Sequence, residues 1–415
     1  MQSRRRAPKS SALALRCVCV CVVALVLLAV APLQRAARSL VLLSDLTHGP
    51  KLGPLTPALL HDVSEAGMTA RIKSGVVRVR RYVPVGVADA PGIVLLHGVH
   101  PQGMDEARLR GFAHTLAAGG MDVLTPELSE LLSYRIEAAT VDKIRDLAAF
   151  HARMTGRQSA GVFGISFAGG LALMAAAKQP DHGPIGFVVS VGAHHDLMRL
   201  CHYYAGEKVL GPNGEPADVA PHPYGARVMI REHLDRFFSP SDLPMARRSL
   251  DLYLHDQGKP ARRVAETLSP EGRSIMNTLL QPGNGGQLAQ LLLTAANAVS
   301  DKLALASPKG QLAGLRVPVF LVHGAADPII PSIETRWLAH EVPKGTLRMM
   351  VITDLLRHAE FPRPPSVAET WELVRLMRDI LQQAGSAQRL PSEGDTRPRM
   401  PNSNRASASS ERPRG

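Results

Sequence analysis

The chain has 415 residues, of which 45% are hydrophobic and 20% are charged, and this composition is typical of a folded protein with a large apolar core. Its formal net charge is +12, but residues 1–40 carry +7 with no acid, and residues 385–415 carry +3. Because little positive charge remains on the middle of the chain, the composition argues against a nucleic-acid-binding surface on the folded part.

The N-terminal segment, residues 1–40, combines a basic start with an uncharged apolar run at 17–31. The run is nearly long enough for a membrane helix, and a secretory signal peptide has the same layout. Pro32 directly follows a small-residue cleavage pattern and hinders cleavage, which favours an uncleaved anchor. The excess of positive charge before the run predicts that the main domain lies outside the cytoplasm, with secretion after signal cleavage as the alternative.

Two further segments are predicted to lie outside the folded core. Residues 41–68 contain several Pro and Gly and are predicted to be a linker. Residues 385–415 are polar and are predicted to be disordered, since they cannot bury enough apolar surface to offset the loss of chain entropy. Of the four cysteines, Cys201 is the one outside the apolar run, so no intramolecular disulfide is expected in the core.

Strand and helix patterns alternate from residue 69 onwards. They are a hairpin at 69–73 and 76–85, a buried strand at 93–96, a helix at 104–118, a strand at 122–124 and a helix at 141–154. Such alternation predicts an α/β fold with a mostly parallel central sheet flanked by helices.

The next strand, residues 160–165, is apolar or Gly throughout and leads directly into Ser166 and a predicted helix. A serine at such a corner stands on a sharp turn that lifts its hydroxyl above the edge of the sheet. Gly164 and Gly169 flank the corner, where only small residues fit. Ala168 replaces the second Gly of the strict G-x-S-x-G pattern, which is a mild departure. Ser166 is therefore a candidate nucleophile.

The alternation stops after a fully apolar strand at 185–191. Residues 196–315 contain no convincing buried strand, and helical runs at 227–238, 245–255 and 287–301 are separated by loops rich in Gly and Pro. This pattern predicts that residues 196–315 form a helical insertion between two strands of the sheet.

Two late strands supply candidates for an acid and a base. A strand at 317–323 is followed by Asp327, and a strand at 346–352 is followed by His358. A histidine base activates a serine, and an acid orients the imidazole and stabilises its charged form. Asp196 and Asp354 are rival acids. A capping-box pattern at 366–369 predicts the start of the final helix.

The chain order Ser166, Asp327, His358, together with the elbow at the serine, resembles the α/β-hydrolase family over about residues 70–384. The resemblance implies a core in two parts, 69–195 and 316–384. It also implies that the insertion at 196–315 forms a cap over the active site.

The resemblance also implies an oxyanion hole built from two backbone N–H groups. Phe167 supplies one by its position after the nucleophile, and Val99, just after His97 and Gly98, is the candidate for the second. His97 and His323 each end a strand in a His-Gly pair, and we expect both rings to be structural. The run 194–196 with His202 offers metal-ligand residue types, but no acidic cluster supports a metal site.

The sequence therefore predicts a serine hydrolase, carboxylesterase-like or lipase-like, that cleaves a small-molecule or lipid-like ester through an acyl-enzyme. An acyltransferase that uses the same acyl-enzyme and a non-catalytic, membrane-tethered binding protein are the alternatives. No cofactor, metal or nucleic-acid partner is expected, and the oligomeric state is open.

Overall fold

The central element is an eight-stranded sheet. The computed structural model describes Ser39 and residues 59–283, 285–356 and 366–386, and in these residues the strand order is β1-β2-β4-β3-β5-β6-β7-β8. The strands are β1 Val63–Ile72, β2 Gly75–Pro84, β3 Gly92–Leu96, β4 Asp122–Pro126, β5 Ala160–Ile165, β6 Ile185–Val191, β7 Val319–Gly324 and β8 Leu347–Thr353. Strand β2 runs antiparallel to both of its neighbours, and the other pairs are parallel. This order and these directions are those of the α/β-hydrolase fold, which confirms the predicted fold class.

The opening hairpin begins earlier than predicted. Val63 pairs with Pro84 and Ile72 with Gly75, so residues 63–68 belong to β1 and the expected linker at 41–68 ends before them. Strand β1 lies at the edge of the sheet and is mostly exposed, so it lacks the apolar alternation that marks a half-buried strand.

Helices cover both faces of the sheet. The helices outside the insertion are α1 Ala107–Ala118, α2 Ser129–Leu132, α3 Ala139–Met154, α4 Phe167–Ala177, α12 Ile333–Glu341 and α13 Val367–Gly385. Buried side chains of α1 and α13 pack on one face, and those of α3 and α4 pack on the other. Successive residues of one strand contribute to opposite faces; Leu95 faces α1, and Leu96 lies in the core that contains α4.

The chain between β6 and β7 is helical, as predicted. Its helices are α5 Leu197–Tyr204, α6 Pro223–Arg231, α7 Leu243–Leu254, α8 Gly258–Ala265, α9 Pro270–Leu280, α10 Gly286–Ala298 and α11 Ser300–Leu305. The helix expected at 227–238 starts four residues earlier, because Pro223 is favourable in the first turn of a helix. The run at 287–301 is broken into α10 and α11.

The final helix, α13, begins at the predicted capping box. The Glu369 N–H donates to Ser366 Oγ at 3.3 Å, and the Ser366 N–H donates to Glu369 Oε2 at 2.8 Å. These two bonds satisfy N–H groups that lack intrahelical partners.

Several predictions concern residues that the structure does not describe. The apolar run at 17–31, His358 and the tail from residue 387 lie outside the described residues. Among the helices that are described, none is long and apolar enough to cross a membrane. The membrane anchor therefore stays a prediction.

Candidate active site

Ser166 stands on a strained corner between β5 and α4. Its backbone has φ 57° and ψ −133°, a region that non-glycine residues rarely adopt and that costs about 1–3 kcal/mol. The corner is held by neighbouring strands, because the Ser166 N–H donates to the Val191 carbonyl at 2.7 Å. The Ser166 carbonyl in turn accepts from the Gly169 N–H at 2.9 Å. The strain is thus maintained by surrounding hydrogen bonds, as expected for a functional position.

Close backbone packing explains the small residues around the serine. A Cβ added at Gly164 would lie 2.5 Å from Gly169 Cα and 2.6 Å from the Ala168 carbonyl oxygen. A Cβ added at Gly169 would lie 2.6 Å from Ser190 Oγ. Helix α4 therefore packs directly on β5, and its first turn cannot move away from the strand without breaking these contacts.

The loop after β3 lies against the serine. A Cβ added at Gly98 would lie 3.0 Å from Ser166 Cβ. His97 is buried and shapes this loop: its Nε2 accepts from the Leu128 N–H at 3.0 Å, and its Nδ1 donates to the Gly98 carbonyl at 2.7 Å. Burial lowers the pKa of His97 below its usual value. The structural interpretation of His97 is correct, and its contacts show that it positions the loop that carries Val99.

Two backbone N–H groups beside Ser166 are available to a ligand. Phe167 is the first residue of α4, where an N–H has no intrahelical acceptor. Within the described residues the Val99 N–H donates to no other group. Since α4 begins at the serine, the positive end of its dipole also lies there. Val99 and Phe167 therefore stay the candidate donors of an oxyanion hole.

Asp327 lies at the same edge of the sheet, two strands away from Ser166. It is 1% exposed, and its Oδ1 accepts the backbone N–H groups of Ile329 at 2.8 Å and Ile330 at 3.1 Å. A Cβ added at Gly192, which directly follows the intervening strand β6, would lie 3.6 Å from Asp327 Oδ2. The carboxylate is therefore oriented by its own loop, with Oδ2 turned towards the strand beside Ser166.

The rival acids are placed differently. Asp196 caps α5 by accepting the Met198 and Arg199 N–H groups on Oδ1, and its Oδ2 accepts from Lys309 Nζ at 2.7 Å. Both of its oxygens are thus used in structural contacts. Asp354 is exposed at the end of β8. Asp196 is also buried, but unlike Asp327 it caps a helix of the insertion and pairs with a lysine.

His323, the histidine of the second His-Gly pair, has structural partners. His323 is fully buried; its Nδ1 lies 2.6 Å from Thr335 Oγ1, and its Nε2 donates to the Ile330 carbonyl at 2.8 Å. These bonds tie β7 to α12 and support the loop of Asp327. His358, the candidate base, lies outside the described residues, so its position relative to Ser166 and Asp327 stays a prediction.

The two histidines of the pair after β6 bond to different parts of the chain. His194 Nε2 donates to the Ala306 carbonyl at 3.0 Å, while His195 Nε2 lies 2.6 Å from Glu341 Oε2. The two rings therefore have separate partners, and no group of three metal-ligand side chains occurs in the described part of the chain. Cys201 is buried, and burial raises the pKa of its thiol to about 12, which fits an inert core residue.

Ser166 opens onto a cavity of about 1310 Å³. On one side its wall comes from the loop after β3 and from the insertion, including His100, His222, Tyr253 and Asp256. On the other side the wall comes from the sheet, α1 and α13 and is mostly apolar, with Arg108, His114 and Thr115 of α1 as polar members. A cavity of this size is large enough to enclose a ligand of drug-like size or larger.

Arg227 shapes the insertion's part of this wall and was not predicted. It is fully buried, donates to the carbonyls of Pro223 at 2.7 Å and Leu279 at 2.6 Å, and also bonds the Gln281 carbonyl. Its guanidinium lies 5.3 Å from the centre of the Tyr253 ring. Nothing in the local sequence distinguishes this arginine from a surface one, because its partners other than Pro223 are backbone groups 52 or more residues away on α9 and the following loop.

Comparisons with known proteins find only distant structural likenesses. No protein-family model matches the sequence, and no curated protein is significantly similar to it. An esterase of Pyrobaculum calidifontis is 17% identical, with a TM-score of 0.42 over 85% of this chain and 91% of that one. An acylaminoacyl peptidase of Pyrococcus horikoshii is 13% identical, with a TM-score of 0.46 over 83% of this chain and 45% of that one. The likeness is too distant to transfer a residue role.

Proposed function

We propose that the protein is a serine hydrolase that cleaves a carboxylic ester through an acyl-enzyme on Ser166. The observation that supports this most is the strained backbone of Ser166, which is held beside Gly98 at the wall of a large cavity. A buried structural serine has no need of a left-handed φ, and strain of this kind clusters at functional sites.

In the proposed reaction, Ser166 Oγ attacks the carbonyl carbon of the ester while its proton passes to His358. The carbonyl oxygen becomes an oxyanion, which accepts hydrogen bonds from the N–H groups of Phe167 and Val99. His358 then gives the proton to the departing alcohol oxygen, and the acyl group remains on Ser166. Water, deprotonated by the same histidine, releases the acid and restores the serine.

Asp327 would hold the imidazole of His358 in the required tautomer and stabilise its charged form. Its buried carboxylate already has one oxygen fixed by the Ile329 and Ile330 N–H groups. Each of the two backbone donors would raise the rate by a factor of about 10²–10³, as such groups do in acyl transfer.

The proposed substrate is a small-molecule or lipid-like ester, and the proposed location is outside the cytoplasm on an N-terminal anchor at 17–31. The basic residues before this run support that orientation. Protease protection of the domain in intact cells would check the location, since an extracytoplasmic domain is digested from outside and a cytoplasmic one is not.

The acid assignment is tested by comparing Asp327→Asn with Asp196→Asn. We expect Asp327→Asn to lower kcat by about 10⁴, because the neutral side chain favours the wrong tautomer of the base. Asp196→Asn should lower thermal stability instead, since that residue caps α5 and pairs with Lys309. The measurement is kcat on a butanoyl ester together with a melting curve for each variant.

A reversed result, with full activity in Asp327→Asn and a large loss of kcat in a normally folded Asp196→Asn, would contradict the assignment. Acyl transfer is distinguished in the same assay by adding an alcohol and analysing the products. A hydrolase gives mainly the free acid, and an acyltransferase gives mainly the new ester.

A further inference from the structure

We propose that the apolar side of the cavity binds the acyl chain of the substrate, in a channel between the sheet and helices α1 and α13. This inference rests on the proposed hydrolase function and names its substrate class, an ester of a medium or long aliphatic acid. The channel, here called the acyl channel, is lined by Phe112, Phe163, Val189, Leu376, Met377 and Ile380.

One wall of the acyl channel starts at the nucleophile and follows the strands inwards. Ile165 and Val191 are half-buried beside Ser166, whereas Phe163 and Val189, two residues earlier on the same strands, are each 2% exposed. Residues two apart in a strand share a face and lie about 7 Å apart. The wall therefore runs from the reacting serine into the interior of the domain.

Helix α13 supplies the opposite wall. Its cavity-lining residues extend from Leu373 to Ile380, seven residues apart, which corresponds to about 10 Å along a helix. The helix follows β8, so it runs back from the edge of the sheet where Ser166 lies, and Ile380 is at the deeper end.

An aromatic contact closes the floor of the acyl channel. The rings of Phe112 on α1 and Phe163 on β5 lie edge to face with centroids 6.2 Å apart. Phe163 also contacts Phe187 at 6.3 Å, so the floor is continuous with the aromatic core of this face. A chain entering from Ser166 would end against these rings.

The chemistry of the two sides of the cavity sets the orientation of the ester. None of the six residues of the acyl channel is charged, so a polar group placed there would lose its hydrogen bonds to water without replacement. Polar and charged groups such as Glu106, His222 and Asp256 lie on the other side of the cavity, on the loop after β3 and on the insertion. Arg108, His114 and Thr115 of α1 also line the cavity but are not part of the acyl channel. The acyl chain therefore fits the channel, and the alcohol part fits the side formed by the insertion.

The test is the chain-length profile of Met377→Trp, with Arg375→Trp as the matched control. Met377 lines the acyl channel, while Arg375 is exposed on the same helix, so both changes add the same side chain to α13. The substrates are the butanoyl, octanoyl and dodecanoyl esters of one alcohol. Each methylene group excluded from an apolar site costs about fourfold in binding.

We expect the wild type to prefer the longer chains. In Met377→Trp, the ratio of kcat/KM for the dodecanoyl ester over the butanoyl ester should fall at least about tenfold, because two or more methylene groups no longer fit. Arg375→Trp should keep the wild-type ratio. If Met377→Trp does not fold by circular dichroism, Ile380→Phe makes a milder block at the deeper end and serves the same comparison.

Two outcomes separate the acyl channel from the proposed function. Folded Met377→Trp that cleaves the butanoyl ester and keeps the wild-type ratio of kcat/KM for the dodecanoyl over the butanoyl ester would overturn the proposed channel. The proposed hydrolase function would still stand. If no ester is cleaved at all, the hydrolase fails, and calorimetric binding of dodecanoic acid then tests the channel. Binding that weakens in Met377→Trp but not in Arg375→Trp supports it, and no binding to the wild type overturns it.

Discussion

The two faces of the central sheet are packed in opposite ways. On the face of α4, all eleven residues of the helix are buried, and Gly164 meets Gly169 with no room for a methyl group. On the face of α1 and α13, bulky side chains leave a cavity that reaches Ser166. The dense face holds Ser166 in a strained conformation, and the looser face leaves room for a ligand next to it.

The largest expected effect comes from a substitution that disrupts the packing of the dense face. Gly164→Ala should lower the free energy of unfolding by about 3 kcal/mol, because the new methyl group overlaps the backbone of Ala168 and Gly169. Gly67→Ala is the matched control: nothing lies within 4 Å of a Cβ there, and we expect a gain of about 0.5 kcal/mol. Urea denaturation measures both, and equal stabilities for the two variants would contradict the account of this face.

A second prediction concerns the pH dependence of stability on the dense face. His194 packs under α4, where a Cβ at Gly170 would lie 2.6 Å from its ring, and burial lowers its pKa from 6.5 to about 4. The folded state therefore favours the neutral ring. The neutral His194 ring contributes fully to the free energy of unfolding above pH 6.5. This contribution, on the order of 3 kcal/mol, is lost as the pH falls towards 4.

The measurement for His194 is the free energy of unfolding at several pH values between 4 and 7. His194→Gln should have a flatter profile than the wild type, whatever its absolute stability. The exposed His340→Gln should retain the wild-type slope. A His194→Gln profile as steep as that of the wild type would show that other groups cause the acid sensitivity.

The smallest expected effects are those of substitutions at two neighbouring residues of β6, one on each face of the sheet. Val188 points into the dense core and Val189 lines the cavity. Val188→Ile should cost about 1 kcal/mol by overpacking, whereas Val189→Ile should gain about 0.8 kcal/mol by filling space. Thermal melting of the two variants gives the comparison, and the same sign of change for both would mean that the faces are equally packed.

The features that the sequence predicted are those that local chemistry determines. The corner at Ser166 depends on small residues within five positions of it, and the capping box needs only Ser366 and Glu369. The buried strand β5 was predicted to the residue because every position is apolar or Gly. Such patterns specify the element and the candidate nucleophile together.

The features that escaped prediction depend on contacts between distant parts of the chain. Helix α12 has a weakly amphipathic pattern, and its buried Glu334 accepts hydrogen bonds from the His195 and Asp196 N–H groups, which no local pattern reveals. The cavity beside Ser166 is lined by residues of β5, β6, α1 and α13, so its width depends on the distance between two helices that are far apart in the sequence. The sequence favoured Asp327 over Asp196 as the acid, but it did not reveal the contacts of Asp196 with α5 and Lys309.

The central claim is that Ser166 is an activated nucleophile, and fluorophosphonate labelling of the full-length protein tests it most directly. The account predicts that the wild type is labelled on Ser166, as located by peptide mass spectrometry, and that Ser166→Ala is not labelled. Ser190→Ala is the control, because that serine is buried on the dense face against Gly169. A folded wild-type protein that takes up no label, or label that persists in Ser166→Ala, would contradict the claim.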